Sequence, residues 1–189
     1  MKSKVLGAVL ALYAGCIAAA HAQLNLGSST SRTPYDPYLG PVWSVFQRLS
    51  SGQTDMSLVE QLVRQGKSFR YVYKATDPYV PQAPDVTEST KSGDCKAKSL
   101  WLASKMNTRK VRYVIGKAKA QGNLSHAWII WDGPEGWLIL DATFYSRPLV
   151  PQRLSANEFI PIYSYSPPSG RYAHTVSAGA KGVKNGDHL

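Results

Sequence analysis

The sequence predicts an α+β domain in which helices come first and one central helix packs on an antiparallel sheet. Apolar residues recur at helical spacing up to residue 106, and apolar strand-like segments follow it, separated by Gly, Pro and Asp. A length of 189 residues suits one domain, and 43% hydrophobic against 18% charged residues is enough for a packed core. These proportions exclude a chain that is disordered throughout.

Residues 1–22 have the three parts of a signal peptide in their usual order. Lys2 and Lys4 precede an apolar stretch over residues 5–14, and Ala20-His21-Ala22 matches a cleavage site. We therefore expect an exported protein, periplasmic or secreted. Ala14-Gly15-Cys16 leaves an alternative, a lipid anchor through Cys16, although Tyr13 stands where such signals usually carry Leu.

Cleavage after Ala22 would leave Cys95 as the only thiol of the chain. An unpaired cysteine in an oxidising compartment calls for an explanation, because such compartments favour pairing. The net charge of +10 comes without a polybasic block. We read it as a solvated basic surface, and no nucleic-acid-binding or phosphate-loop motif accompanies it.

The first half of the mature chain is predicted to contain two helices and a long loop. Residues 23–40 have no period and indicate an extended arm, after which Pro41 opens a helix that closes near Gly52. Asp55 caps a second helix that ends at Gly66, and residues 68–74 fit either helix or strand. Three prolines then predict a surface loop over residues 78–92.

The second half is predicted to hold the central helix and the sheet. Asp94 caps a mostly buried helix over residues 95–106. Strands are expected at residues 111–115, 125–131, 137–142 and about 160–165. The domain would span residues 41–172, and residues 173–189 would form a flexible tail in which His174 has no partner.

Cys95 lies at the first turn of the predicted central helix. The free N–H groups there stabilise a thiolate and can also hold an oxyanion. A small buried hydrophobe is the alternative explanation, since free cysteines are often buried.

His126 and Asp141 lie on neighbouring predicted strands. A four-residue turn over 132–135 would pair Trp131 with Gly136 and place His126 directly opposite Asp141. At that distance a carboxylate can fix the imidazole tautomer, which suggests a nucleophile, base and orienting acid. A structural His–Asp pair at the sheet rim is the alternative.

These residues also resemble a known family. Gly93-Asp94-Cys95-Lys-Ala-Lys, Ser125-His126-Ala-Trp and Leu140-Asp141 are similar to the Cys, His and Asp boxes of the transglutaminase-like, papain-fold cysteine proteases. Among these, the bacterial transglutaminase-like cysteine proteinases are most similar, and the resemblance covers about residues 40–172. It implies a thiolate nucleophile at Cys95, a general base and acid at His126, an orienting Asp141, and Gly93 and Asp94 shaping the nucleophile turn.

The resemblance has one departure. Members of that group usually follow the nucleophile with two acidic residues that take part in calcium binding in some of them, whereas this chain has Lys96 and Ala97. Asp94 alone provides too few oxygens for calcium, so we expect no metal and no cofactor. For the second oxyanion donor, a side chain from residues 76–92 or Gln121 are the candidates.

Three functions fit the sequence. The first is a hydrolase of peptide or isopeptide bonds that acts on a protein or peptide through an acyl-enzyme on Cys95. The second is a transglutaminase or amidase that uses the same residues with an amine as acceptor. The third is an inactive module that binds a partner, against which the intact Cys–His–Asp set argues. The sequence does not predict an oligomeric state.

Overall fold

A computed structural model describes residues 24–73, 79–122 and 124–175 of the chain. Within these ranges, no helix is both long enough and apolar enough to cross a membrane. The predicted signal peptide, with Cys16, lies outside the described residues, as do residues 176–189 of the predicted tail.

The described chain contains eight strands. They are β1 Ser28–Ser29, β2 Arg70–Tyr71, β3 Ser92–Gly93, β4 Val111–Ala118, β5 Ser125–Gly133, β6 Gly136–Leu140, β7 Phe159–Ser166 and β8 Gly170–Ala173. Six of them form one antiparallel sheet in the order β1-β8-β7-β4-β5-β6. The other two, β2 and β3, pair with each other in parallel.

Four α-helices accompany the sheet in the described residues, and α4 is the central one. They are α1 Gly40–Phe46, α2 Met56–Ser68, α3 Pro84–Thr90 and α4 Cys95–Met106. Ten of the twelve residues of α4 are buried, because α1, α2 and α3 contact it together with the strands β4 and β5. The Ser99 hydroxyl donates to the Ala127 carbonyl at 3.0 Å and ties α4 to β5. The predicted α+β class, with a central helix packed on an antiparallel sheet, is therefore correct.

Helices α1 and α2 end at residues other than those predicted. Helix α1 stops at Phe46, well before Gly52, since the Ser50 hydroxyl and N–H bond Asn107 at the end of α4. Helix α2 begins at the predicted Asp55 cap but continues past Gly66 to Ser68. Gly66 is a packing residue, because a Cβ there would lie 2.8 Å from the Ala142 Cβ.

The predicted surface loop over residues 78–92 is in part regular structure. It contains α3 and β3, and Pro84 opens α3 instead of marking a loop. Proline suits the first turn of a helix because the N–H that it lacks would have no partner there. Arg70 and Tyr71, which the sequence left open, form β2.

Residues at both ends of the described chain form strands of the sheet, where an extended arm and a tail were predicted. In the arm over residues 23–40, β1 pairs with β8. The predicted tail starts too early, because Ala173 lies in β8 and His174 is buried with its ring 2.9 Å from the Ser164 hydroxyl.

The register of the β5–β6 hairpin differs from the prediction by two residues. Gly133 pairs with Gly136, so Pro134 and Glu135 alone make the turn, and Trp131 faces Leu138 instead of Gly136. Gly136 has a φ of +106°, which only glycine adopts readily, and this fits a tight turn. A shift of two residues leaves each side chain on its predicted face.

We expect Gly66→Ala to lower the free energy of unfolding, although alanine is a better helix former by about 1 kcal/mol. The new Cβ would meet the Ala142 Cβ at 2.8 Å and the Trp101 ring at 3.0 Å. Overpacking of this kind costs about 1–3 kcal/mol, so a net loss is expected. Denaturant unfolding measures it, and Gly40→Ala is the control because a Cβ at that residue of α1 meets nothing within 4 Å. Equal stabilities for the two variants would contradict the packing role of Gly66.

Candidate active site

Cys95 is the first residue of α4 and is buried, with 7% of its surface exposed. The Asp94 carboxylate caps this helix as predicted, since its Oδ1 accepts from the Ala97 N–H at 2.9 Å. The N–H groups of Cys95 and Lys96 have no hydrogen-bond partner among the described residues. Together with the helix dipole, these free donors favour negative charge beside the sulfur.

The turn before the cysteine needs glycine at position 93. A Cβ on Gly93 would lie 2.7 Å from the Ala97 Cβ. Gly93 also pairs with Tyr71 in the parallel β2–β3 ladder. Close packing therefore fixes the backbone that delivers Cys95 to the start of α4.

His126 and Asp141 form a fully buried pair. They are not directly opposite each other as predicted, because the observed register is shifted by two residues and Asp141 lies just beyond the end of β6. The His126 Nε2 lies 3.0 Å from the Asp141 Oδ2, and neither side chain is exposed. The Asp141 Oδ1 accepts from the Thr143 N–H at 2.9 Å and from the Phe144 N–H at 3.4 Å. The carboxylate is thereby held in place from the loop that follows β6, and it orients the ring.

Gly116 makes room for this part of the sheet. It pairs with His126 across the β4–β5 ladder, and a Cβ there would collide with the Ile160 carbonyl oxygen and meet the Trp128 ring at 2.8 Å. The β4–β7 register shifts between Ile115 and Gly116. A glycine at this position thus allows three strands to close around the start of β5.

The His126 ring carries a strongly shifted pKa. Burial lowers this pKa, but the interactions of the ring with Asp141 and Cys95 outweigh burial and raise it to about 9. The second ring nitrogen, Nδ1, is buried and has no hydrogen-bond partner among the described residues. Since Asp141 occupies Nε2, Nδ1 is the nitrogen that can exchange a proton with Cys95.

Lys96 neutralises Asp94 within the site. Its Nζ lies 3.1 Å from the Asp94 Oδ2, and 5.1 Å from the centre of the Tyr79 ring. Both carboxylate oxygens of Asp94 are therefore engaged, one by Lys96 and one by the Ala97 N–H.

Within the described ranges, no group of three His, Cys, Asp or Glu residues could hold a metal. A divalent cation does not fit here, because the lysine ammonium already occupies the carboxylate.

A second buried lysine, Lys98, lies two residues further along α4. The Lys98 Nζ donates to the Phe69 carbonyl at 2.6 Å, and the residue is 1% exposed. Burial, and then the charge of Lys67, lower the pKa of Lys98 to about 8, while the charge of Asp141 opposes the shift.

The structure brings together Cys95, His126 and Asp141, with Gly93 and Asp94 in the turn before Cys95. It places Gln121, one candidate oxyanion donor, beside Tyr71, with which it interacts. Sequence reasoning missed the buried lysines, and it reached Tyr79 only as one of the residues 76–92 named for the second oxyanion donor. A lysine among the apolar positions of a buried helix was the available signal for Lys96 and Lys98.

Comparison with known proteins rests on structure alone, since no protein-family model and no curated protein matches the sequence. Calcium-bound LapG from Legionella pneumophila is 18% identical, with a TM-score of 0.51, over 72% of this chain and 80% of that one. A second LapG structure is 19% identical, with a TM-score of 0.50, over 70% and 76% of the two chains. A candidate cysteine protease from Cytophaga hutchinsonii has a TM-score of 0.46 at 19% identity, over 67% of this chain and 43% of that one.

The likeness to LapG is a likeness of architecture, and it agrees with the fold that the Cys, His and Asp boxes implied. The resemblance implied a central helix that begins at the cysteine and packs on an antiparallel sheet. The structure has this arrangement, with His126 in β5 and Asp141 directly after β6. The chain has the fold of the transglutaminase-like cysteine proteases.

Proposed function

We propose that the protein is a cysteine-dependent acyl-transfer enzyme that hydrolyses peptide or isopeptide bonds. One observation carries the proposal: the buried His126–Asp141 pair, at 3.0 Å, lies beside a cysteine at the start of a helix. A nucleophile, a base and an orienting acid in mutual contact are what acyl transfer by a thiol requires. The fold shared with LapG, itself a transglutaminase-like cysteine protease, supports the same reaction class.

The proposed reaction starts from the Cys95 thiolate and the His126 imidazolium. The sulfur attacks the substrate carbonyl carbon, and the carbonyl oxygen takes the negative charge. The imidazolium then gives its proton to the leaving amine, and an acyl-enzyme remains on Cys95. A water molecule, deprotonated by His126, releases the acid and restores the thiolate. Asp141 keeps Nε2 occupied, so that Nδ1 is the nitrogen that carries the mobile proton.

We also propose that the enzyme works outside the cytoplasm, on protein or peptide substrates. The signal-peptide pattern of residues 1–22 supports export. An exported protein anchored to the membrane by a lipid on Cys16 is the alternative. The only cysteine of the described residues is Cys95, which is free and buried. Mass determination of the mature protein from the periplasmic and membrane fractions distinguishes cleavage after Ala22 from lipidation.

Iodoacetamide at neutral pH should alkylate Cys95 of the wild type rapidly, because the site favours negative charge on the sulfur. Cys95→Ser should lose this labelling and all acyl transfer, yet keep its melting temperature, since the hydroxyl replaces a thiol that makes no disulfide. Peptide mapping by mass spectrometry locates the label, and an ester such as p-nitrophenyl acetate tests acylation. Full acyl transfer by Cys95→Ser would exclude the thiol mechanism.

If the acyl group passes to added amines in preference to water, the protein is a transamidase instead of a hydrolase.

Asp141→Asn should lower the pKa of the His126 ring below its value of about 9, because the mutation removes an interaction that raises this pKa. The imidazolium would then be lost at lower pH than in the wild type. Acyl transfer should fall, but by less than the factor of about 10⁴ seen in serine triads, because a thiolate at a helix terminus relies less on its base. His126→Ala should lose nearly all activity. Titration of the ring by NMR, with His126→Ala for assignment, measures the shift, and an unchanged pKa in Asp141→Asn would contradict the orienting role.

Acylation should be the same with and without EGTA, because the Lys96 ammonium already occupies the Asp94 carboxylate. The rate of p-nitrophenyl acetate turnover before and after chelation checks this. A loss that added calcium reverses would mean that calcium ligands lie elsewhere in the chain.

A further inference from the structure

Tyr79 is a buried tyrosine next to the nucleophile, and its conformation is unusual. Only 6% of its surface is exposed, and its backbone φ of +52° lies in the left-handed region that bulky residues rarely adopt. Strained backbone of this kind tends to occur at functional sites, where the surrounding structure holds it in place.

The Tyr79 hydroxyl has no hydrogen-bond partner within the described ranges. Ser125 is a polar neighbour and acts on the phenol, but no described atom meets the distance and angle of a hydrogen bond. Leaving a buried hydroxyl unpaired destabilises a protein, so each such group needs an explanation. One such explanation is that the hydroxyl donates a hydrogen bond to an oxygen of the bound substrate.

The surroundings of Tyr79 place its ring at the site. Lys96, which directly follows Cys95, holds its ammonium 5.1 Å from the Tyr79 ring centre, and the charge of Cys95 acts on the phenol. The ring also packs against Tyr35, at 4.8 Å between ring centres. Two contacts therefore hold the ring beside the first turn of α4.

The phenol also stays protonated. Burial, followed by the charges of Tyr113 and Cys95, raises the pKa of Tyr79 well above its ordinary value. A protonated hydroxyl can donate a hydrogen bond without giving up its proton, which is what the stabilisation of a developing negative charge requires.

We propose that Tyr79 is a catalytic residue whose hydroxyl, together with the backbone N–H of Cys95, stabilises the oxyanion formed during acyl transfer. This inference rests on the proposed function, because it needs a carbonyl substrate attacked by Cys95. In the step concerned, a bond forms between the sulfur and the carbonyl carbon, and the carbonyl π electrons move to oxygen. Tyr79 and the Cys95 N–H donate hydrogen bonds to that oxygen. When the oxyanion collapses, the bond to the leaving group breaks, and His126 provides the proton that an amine needs.

The test is Tyr79→Phe, which keeps the ring and removes only the hydroxyl. Two reactions at the same sulfur separate its roles. Acetylation of Cys95 by p-nitrophenyl acetate passes through an oxyanion, whereas alkylation by iodoacetamide forms none. We expect acetylation to slow by about 100-fold, alkylation to keep its rate and pH profile, and the melting temperature to stay equal or rise. Tyr35→Phe is the control, because it removes a hydroxyl from the ring that packs on Tyr79.

Each other result overturns the inference. Unchanged acetylation in Tyr79→Phe means that the hydroxyl does not act in the reaction. An equal fall in acetylation and alkylation means that it acts on the thiolate, and a protein that no longer folds means that its role is structural. If wild-type Cys95 is alkylated but never acetylated, the acyl-transfer function itself fails. If it is not alkylated either, Cys95 is not a nucleophile.

Discussion

The burial of helix α4 controls how the other elements pack. A helix with ten of twelve residues buried has no polar face of its own to turn to water, so it must be covered on every side. Three helices and the strands β4 and β5 contact it. The hydrogen bond from Ser99 to Ala127 holds the first half of α4 at the start of β5, and this brings Cys95 beside His126.

The same burial forces the charges of the site to neutralise one another. Asp94, Lys96, Lys98, His126 and Asp141 are all buried, and an isolated buried charge is costly. Lys96 pairs with Asp94, and His126 pairs with Asp141. Lys98 donates to a backbone carbonyl instead, and the cost of its burial is visible in its lowered pKa. The buried charges of the site are thus compensated by one another or by a backbone carbonyl.

Much of the fold could be predicted because its signals are local. The Asp94 cap and the length of α4 follow from neighbouring residues, and so do the positions of β5 and β6. The errors arose where a distant contact overrides a local signal. A glycine often marks the end of a helix, but Gly66 packs against Trp101 inside α2. Three prolines before α4 predicted a loop, although one of them, Pro84, begins helix α3. The hairpin register was wrong because the turn uses Gly136 at a positive φ, which the sequence pattern alone did not distinguish from a longer turn.

The amino-acid sequence was enough to predict the helix that starts at Cys95. It was also enough to predict the face that His126 and Asp141 share, because strand parity survives a register shift of two. Which distant groups come into contact follows from the packing of the elements. The hydrogen bond between the His126 Nε2 and Asp141 joins two segments of the chain, and the contact between the Tyr79 and Tyr35 rings joins two others. Such contacts depend on how the elements pack in three dimensions, and no local pattern of residues encodes the distance between two side chains brought together by folding.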